Sequence, residues 1–355
     1  MSIDFRKVLI TGGVGFVGAN LAIFLSRQLP NLSITCLDNL KRRGSEFNIR
    51  RLQEANVPFI HGDVRCPEDL DSLDVDLLIE CSAEPSILAG YKAPLYMINT
   101  NFVGAVHCLE LCRRFGAAFL FISTSRVYPI PSLLEIQLIE TDERFTPCAD
   151  QALPGISPLG ISEEFPISGP RSLYGAAKYA SELFIEEYHA AYHVPTVINR
   201  CGIIAGPWQM GKVDQGIVAL WVMRHHFQMP LCYIGFGGTG KQVRDFLDID
   251  DFCALVLMQL THFDKVNGQV FNIGGGPKRS VSLRELTELC RMKMGCEIPL
   301  GSESSTRPGD VPFYVTDNSR ISAALGWSPV LSREETIEKI ARWVRDNEQM
   351  LRPLL

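Results

Sequence analysis

The chain has 355 residues, of which 46% are hydrophobic and 21% charged, and its 34 basic and 40 acidic side chains leave a net charge of −6. That apolar content excludes intrinsic disorder, which needs low hydrophobicity and high net charge, and the length suits two domains or one large one. A mildly acidic chain lacks the basic stripe that nucleic acid demands, and no apolar run approaches the roughly 18 residues that span a bilayer, so neither a nucleic-acid nor a membrane partner is expected.

In chain order, Lys7 to Thr11 reads as a buried strand, followed by a glycine-rich turn and a helix with Val17, Leu21, Phe24 and Leu25 on one face. Strands are expected at Leu32 to Asp38, Val57 to His61 and Asp76 to Cys81, then a helix from Tyr96 to Phe115 and a fifth strand at Ala118 to Ser123. The stretch from Pro129 to Pro170, rich in Pro, Ser, Gly and Glu, reads as a long irregular loop or lid. A helix follows at Leu173 to Tyr192, and a sixth strand starts at Thr196 to Asn199. Beyond Gly206 the alternation loosens, with strands at Leu231 to Ile234 and Val270 to Ile273. Helices are expected there at Asp250 to Thr261, Leu283 to Met294 and Arg333 to Met350.

Strands separated by helical crossovers imply an α/β fold with a doubly wound, Rossmann-type parallel sheet. The expected division is a dinucleotide-binding domain over 1–206, joined by returning segments, and a smaller mixed α/β lobe mainly over 207–355. The eleven cysteines are odd in number, lack any CxxC pair and mostly sit in apolar segments, so they read as buried thiols with no disulfide framework and no metal site. His225 and His226 find no third ligand at suitable spacing. The N-terminus runs into the first strand without the apolar stretch of a signal peptide, and the cytoplasm is the expected location.

Thr11-Gly12-Gly13-Val14-Gly15-Phe16-Val17-Gly18 joins the first strand to its helix. The spacing puts Gly12, Gly15 and Gly18 where a Cβ would block the tight turn, a pyrophosphate, and the helix–sheet contact. The amides at the helix start, Phe16 and Val17 among them, then face the phosphates. Asp38-Asn39 closes the second strand twenty residues past Gly18, where a carboxylate accepts from ribose hydroxyls and repels a 2′-phosphate, favouring NAD over NADP. Lys41, Arg42 and Arg43 pull the other way, since a basic cluster could hold that phosphate. Asp63-Val64, after the third strand, stands where an adenine-edge contact is expected.

Tyr174-Gly-Ala-Ala-Lys178 puts a phenol and an ammonium on one helix face. The ammonium is expected to favour phenolate, so Tyr174 could serve as acid and base near neutral pH. Ser123-Thr124 ends the fifth strand, where this fold places its active site, and a hydroxyl there can bond the oxygen being oxidised.

Together these stretches resemble the extended short-chain dehydrogenase/reductase family, the nucleotide-sugar epimerases and dehydratases, from about Lys7 to Trp343. The resemblance implies an NAD-dependent enzyme, a nucleotide-sugar substrate, a homo-oligomer, and a catalytic triad of Thr124, Tyr174 and Lys178. It places Asn101 near the cofactor, Cys81-Ser82-Ala83 along it, Ser125 beside Thr124 at the substrate, and Arg244 and Arg307 on the substrate diphosphate.

The family's dehydratases carry Asp-Glu directly after the catalytic threonine, because eliminating water needs an acid and a base; here Ser125-Arg126 stand there, which points to epimerisation. Within the epimerases, Asp38 to Gly44, Asp214-Gln215-Gly216, Gly169 to Tyr174, Gly240 to Asp245 and Phe271 to Gly275 are similar to those that invert C2 of CDP-linked dideoxyhexoses. A 4-epimerase or a simple NAD-dependent sugar dehydrogenase or reductase would use the same parts. A non-catalytic dinucleotide-binding regulator would be expected to lack Tyr174 or Lys178. Two positions depart from the family's pattern: Ala205-Gly206-Pro207 replaces Tyr-Gly-Pro, and Tyr128-Pro129 replaces Tyr-Gly.

Overall fold

Apolar runs in the first half of the chain pair as parallel strands, buried on both faces, in the computed structural model, which describes residues 5–211 and 215–354. The seven strands of the main sheet are Lys7–Thr11 (β1), Ser33–Asp38 (β2), Phe59–His61 (β3), Leu77–Glu80 (β4), Ala118–Thr124 (β5), Thr196–Cys201 (β6) and Gln269–Ile273 (β7). Their order, β7-β6-β5-β4-β1-β2-β3, reverses direction between β1 and β4. A crevice opens at such a reversal, outside the carboxyl ends of the strands.

Alternation along each strand feeds two helical layers. Val8, Ile10, Leu77, Ile79 and Leu120 pack on one face with Leu21, Leu25 and the Ile249–Thr261 helix. Leu9, Leu78, Phe119 and Phe121 pack on the other with Leu109 and Ile185. Residues 249–273 therefore return to the sheet's own core, ending in β7. A separate apolar cluster joins the helices Ile217–His226, Leu283–Met294 and Arg333–Asp346.

Three expectations need correction. The helix expected from Tyr96 to Phe115 is instead Pro94–Ile98, a π-helical turn Asn99–Val103, and Gly104–Phe115. The C-terminal helix stops at Asp346, and a separate turn, Glu348–Leu351, follows Asn347. The 129–170 segment is not a structureless lid: it holds a short helix, Ile130–Leu134, and two antiparallel pairs, Leu138–Glu140 with Phe145–Pro147 and Ile156–Ser157 with Gly160–Ile161. Its Leu133, Ile136, Ile161 and Phe165 pack against Phe313 and Val315, and the Ile161 amide donates to the Val315 carbonyl at 2.7 Å. Apolar burial among proline-rich connections fixes this insert, a pattern with no period to read.

All eleven cysteines are free, and six are buried. Among the described residues no helix is long and apolar enough to cross a membrane.

A buried polar chain runs behind β5 and β6. Glu182, fully buried, accepts from Ser123 and from Arg200 Nε and Nη2 at 2.9 and 2.7 Å. The Tyr128 hydroxyl, near the Arg200 guanidinium, donates to Asn272 Oδ1 at 2.8 Å, and Asn272 Nδ2 donates to the Ile161 carbonyl, tying the sheet to the insert. Removing one partner of such a pair strands the other charge, so Glu182→Ala should lose about 3–5 kcal/mol in denaturant unfolding. A loss under about 1 kcal/mol would show the pair to be dispensable.

Candidate active site

The glycine turn after β1 sits on the backbone that leaves β4. Gly12 has φ +62, and a Cβ there would stand 2.7 Å from the Cys81 carbonyl carbon. Gly13, which the spacing did not single out, leaves room for the Cys36 side chain. At Gly15 a Cβ would meet only the Gly12 carbonyl, at 3.0 Å, and otherwise project into open space. Gly18 closes the helix onto the Gly12 carbonyl. No side chain caps the Phe16–Gln28 helix, and its first turn has no acidic residue, so the amides of Phe16 and Val17 are offered to an anion.

The crevice at this turn measures about 420 Å³ and is lined by Gly12, Gly15, Asp38, Asn39, Asp63 and Val64 on one side, and by Cys81, Ser82, Ala83 and Thr100 on another. Asp38 accepts from the Val14 amide at 3.1 Å and the Leu40 amide at 2.8 Å, locking the turn to the end of β2. Burial pushes its carboxyl above the usual range, against the pull of those amides. Asp63 is held by Arg65 and by Asn39 Nδ2 at 2.9 Å, and the Arg65 contact holds its carboxyl well below the usual range.

The basic cluster is largely engaged elsewhere. Arg42 donates to Gln215 and the Met210 carbonyl, Arg43 to the Pro353 carbonyl, and Lys41 lies 3.4 Å over the Tyr96 ring.

Asn101 does not reach the crevice. It is buried, its Nδ2 donates to the Glu84 carbonyl at 3.0 Å, and its Oδ1 accepts from the Glu84 amide at 2.8 Å. It thereby holds the loop that continues Cys81-Ser82-Ala83. Thr100 faces the crevice instead, with a buried hydroxyl that lacks a partner. Both residues belong to the π-helical turn Asn99–Val103. A glycine cradle, uncapped amides, the carboxylate of Asp38 and the orphan Thr100 hydroxyl together fit a dinucleotide.

Ser172 caps the next helix, Leu173–Tyr192, by accepting from the Gly175 amide at 3.2 Å. A Cβ at Gly175 would strike the Arg126 carbonyl, so glycine alone lets this helix lie against the turn after β5. That approach sets the Tyr174 phenol beside the Thr124 hydroxyl, both residues 8% exposed. Burial raises Tyr174 above the ordinary tyrosine value, and the Lys178 charge and the Thr124 hydroxyl only partly offset it. The Lys178 ammonium favours the phenolate, and desolvation is the larger effect in the protein without ligand.

Lys178 is buried, and its Nζ donates to Glu80 Oε2 at 3.1 Å. Glu80 was missed in the sequence. The available signal was a carboxylate at the end of an apolar parallel strand, which cannot stay buried without a partner. Burial pushes Glu80 up and Lys178 pulls it down.

A second cleft, of about 500 Å³, opens on the other side of the Ser86–Ala89 segment, and Gln215 lines both. It contains Arg126, Arg224, Arg244 and Arg307. Arg244 pairs with Asp310 at 2.9 Å and bonds the Val311 carbonyl at 2.6 Å, so the stretches carrying the two expected arginines are joined; burial lowers Arg244 to about 10. Arg126 Nη1 donates to the Gly309 carbonyl at 2.8 Å. Arg307 has no hydrogen-bond or ion-pair partner for its guanidinium among the described residues.

Thr124, Tyr174 and Lys178 line neither cleft, whereas Arg126, two residues past Thr124, lines the second and Cys81, next to Glu80, lines the first. Ser125 opens the turn Ser125–Val127 without lining either cleft. Asp214 lies outside the described residues. Trp208, φ +71, packs on Trp343 under Arg51, and Trp221 donates to Thr287.

Residues 8–274 match the NAD dependent epimerase/dehydratase family. The chain is 30% identical to the CDP-paratose 2-epimerase of Salmonella typhi, covering 95% of this chain and 98% of that protein. It is 27% identical to the dTDP-glucose 4,6-dehydratase of Streptomyces niveus over 98% of this chain and 95% of that one. Its fold superposes on the UDP-glucose 4-epimerase of Thermus thermophilus, solved with NAD, with a TM-score of 0.77 and 24% identity over 96% and 99% of the two chains.

Two substitutions probe the geometry. Gly175→Ala should push the helix off the Arg126 carbonyl at about 1–3 kcal/mol, the usual cost of overpacking, read as a lower denaturant midpoint. Glu80→Ala leaves the Lys178 ammonium buried and unpaired, and should lose about 3–5 kcal/mol. An unchanged midpoint in either variant would contradict the contact assigned to it.

Proposed function

Because the chain belongs to the NAD dependent epimerase/dehydratase family, whose members are enzymes acting on nucleotide sugars, we propose that it inverts C2 of a CDP-linked 3,6-dideoxyhexose, interconverting CDP-paratose and CDP-tyvelose. The observation that carries epimerisation is the turn after Thr124. Elimination of water needs an acid and a base beyond the tyrosine, and positions 125 and 126 supply a serine and an arginine bonded to Gly309. Asp310 is the one carboxylate lining the second cleft among the described residues, and Arg244 holds it. The identity with a CDP-paratose 2-epimerase, spread over 95% of the chain, supports the choice of carbon and nucleotide.

In this reading the Gly12–Gly18 turn, Asp38, Asn39, Asp63 and the Cys81–Ala83 segment hold NAD. Bound NAD supplies a reversible hydride acceptor for the sugar carbon. Thr124 and Tyr174 hold the C2 oxygen, and the Tyr174 phenol oxygen takes up and returns its proton. Lys178 favours the phenolate by its charge. Arg244 and Arg307 take the diphosphate through charge-assisted bonds in the second cleft. C2 becomes planar as a ketone, and inversion requires the sugar to present its other face before reduction. We also assign the chain to a homo-oligomer, on the exposed Leu95, Leu183, Phe184 and Tyr192 of the 94–98 and 173–192 helices. Light scattering that reads a monomer would overturn that assignment.

Tyr174→Phe keeps the ring and removes the ionisable oxygen, so turnover should fall by about 10²- to 10⁴-fold, the range of a lost general acid/base. Near-full activity in that variant would move the proton transfer to another residue. Asp38→Ala should weaken NAD in a titration and shrink its preference over NADP; a wild-type protein preferring NADP would remove the role given to Asp38. For the reaction itself, substrate deuterated at C2 in ordinary water should give product inverted at C2 with its deuterium retained. Loss of label to solvent would sink the oxidation–reduction route, and inversion at C4 would place the chain among the 4-epimerases.

A further inference from the structure

Two buried polar atoms in the second cleft have no hydrogen-bond partner among the described residues. Arg224, in the last turn of the Ile217–His226 helix, lines the cleft with a buried Nε that makes no hydrogen bond, and its guanidinium has no ion-pair partner among the described residues. Gln242, only 6% exposed, lines the same cleft. Its Nε2 donates to the Ile234 carbonyl at 3.0 Å, which fixes the amide orientation and leaves a buried, unbonded Oε1. Around them the wall is apolar: Leu220, Trp221, Pro230, Leu231 and Leu286.

An unpaired buried donor or acceptor is costly, and a bound ligand is one way to satisfy both. The two demands are opposite in kind. The Arg224 guanidinium can only donate, and the unbonded Oε1 of Gln242 can only accept. A planar ligand that fits must offer acceptors to the first and a donor to the second, with apolar faces toward the walls.

On the reading of this cleft as the nucleotide end of the substrate site, we infer that Arg224 and Gln242 read the base and select cytosine over uracil and thymine. Cytosine carries an exocyclic amine, a donor for Gln242 Oε1, beside ring N3 and O2, two acceptors for the Arg224 fork. Uracil and thymine place a carbonyl where the amine would be, facing Oε1 with like partial charge, and their N3–H confronts a donor. Discrimination comes as much from these mismatches as from the matched bonds. Arg244 and Arg307, which would hold the diphosphate common to every nucleotide, cannot supply it.

The test is calorimetric titration of the full-length protein, loaded with NAD, with CDP, UDP and dTDP. CDP should bind at least about tenfold more tightly than the other two, the order of magnitude that one unsatisfied buried polar group costs. Arg224→Met, which keeps the apolar stem, should bring CDP down to within about threefold of UDP while leaving UDP little changed. Arg224→Lys, which retains a cation without the fork, should lose most of the preference and guards against a folding defect in the first variant. Arg307→Met should weaken all three nucleotides alike. Equal binding of the three by the wild type, or a CDP preference that survives both Arg224 variants, overturns the base readout and leaves the nucleotide cleft standing. If none of the three binds while NAD does, the cleft reading fails and takes the base readout with it.

Discussion

The buried pair of Lys178 and Glu80 is the contact on which the candidate site depends. It bridges β4, whose exit forms one wall of the dinucleotide crevice, and the Leu173–Tyr192 helix, which carries Tyr174. Taking both charges out of water is expensive, and a buried ion pair is weak evidence for stability. Its consequence here is positional. With the ammonium pinned at the end of β4 and Gly175 seated on the Arg126 carbonyl, the helix has little freedom to slide, and the Tyr174 phenol stays beside Thr124. Desolvation then sets the phenol's resting state, and the lysine moderates it.

Charge is distributed against the chain's average. The net charge is −6, yet four arginines line the second cleft. Asp310 satisfies Arg244, a backbone carbonyl satisfies Arg126, and the guanidinium groups of Arg224 and Arg307 have no hydrogen-bond or ion-pair partner among the described residues. A concave, partly apolar site with this surplus focuses positive potential on a small volume, which suits a diphosphate joined to a flat base.

Two polar networks stand behind the reacting groups. One is the Ser123–Glu182–Arg200–Tyr128–Asn272 chain, which fastens the 129–170 insert to the sheet. The other is the Asn101 clasp on Glu84, which fixes the loop after β4. Low local dielectric makes each bond in such networks strong and each missing partner costly, so both resist motion. A rigid surround suits a site that must hold one oxygen while the carbon beneath it changes geometry.

Periodicity and glycine spacing sufficed to predict the parallel sheet, β1 and the Leu173–Tyr192 helix, and pointed to Gly12, Gly15 and Asp38, which line the crevice, because these follow from local pattern and from the short reach of a turn. The resemblance to the family named Tyr174, Lys178, Arg244 and Arg307. What sequence could not supply was whatever depends on residues far apart in the chain. Glu80 meets Lys178 across 98 positions, and only the fold brings an arginine at 224 and a glutamine at 242 to one cleft. Thr100, which the sequence did not single out, lines the crevice from a π-helical turn, and burial in the tertiary structure raises Tyr174 above the ordinary tyrosine value. Pattern along a chain records which residues can be buried; the partners that make burial tolerable for polar groups are chosen in three dimensions.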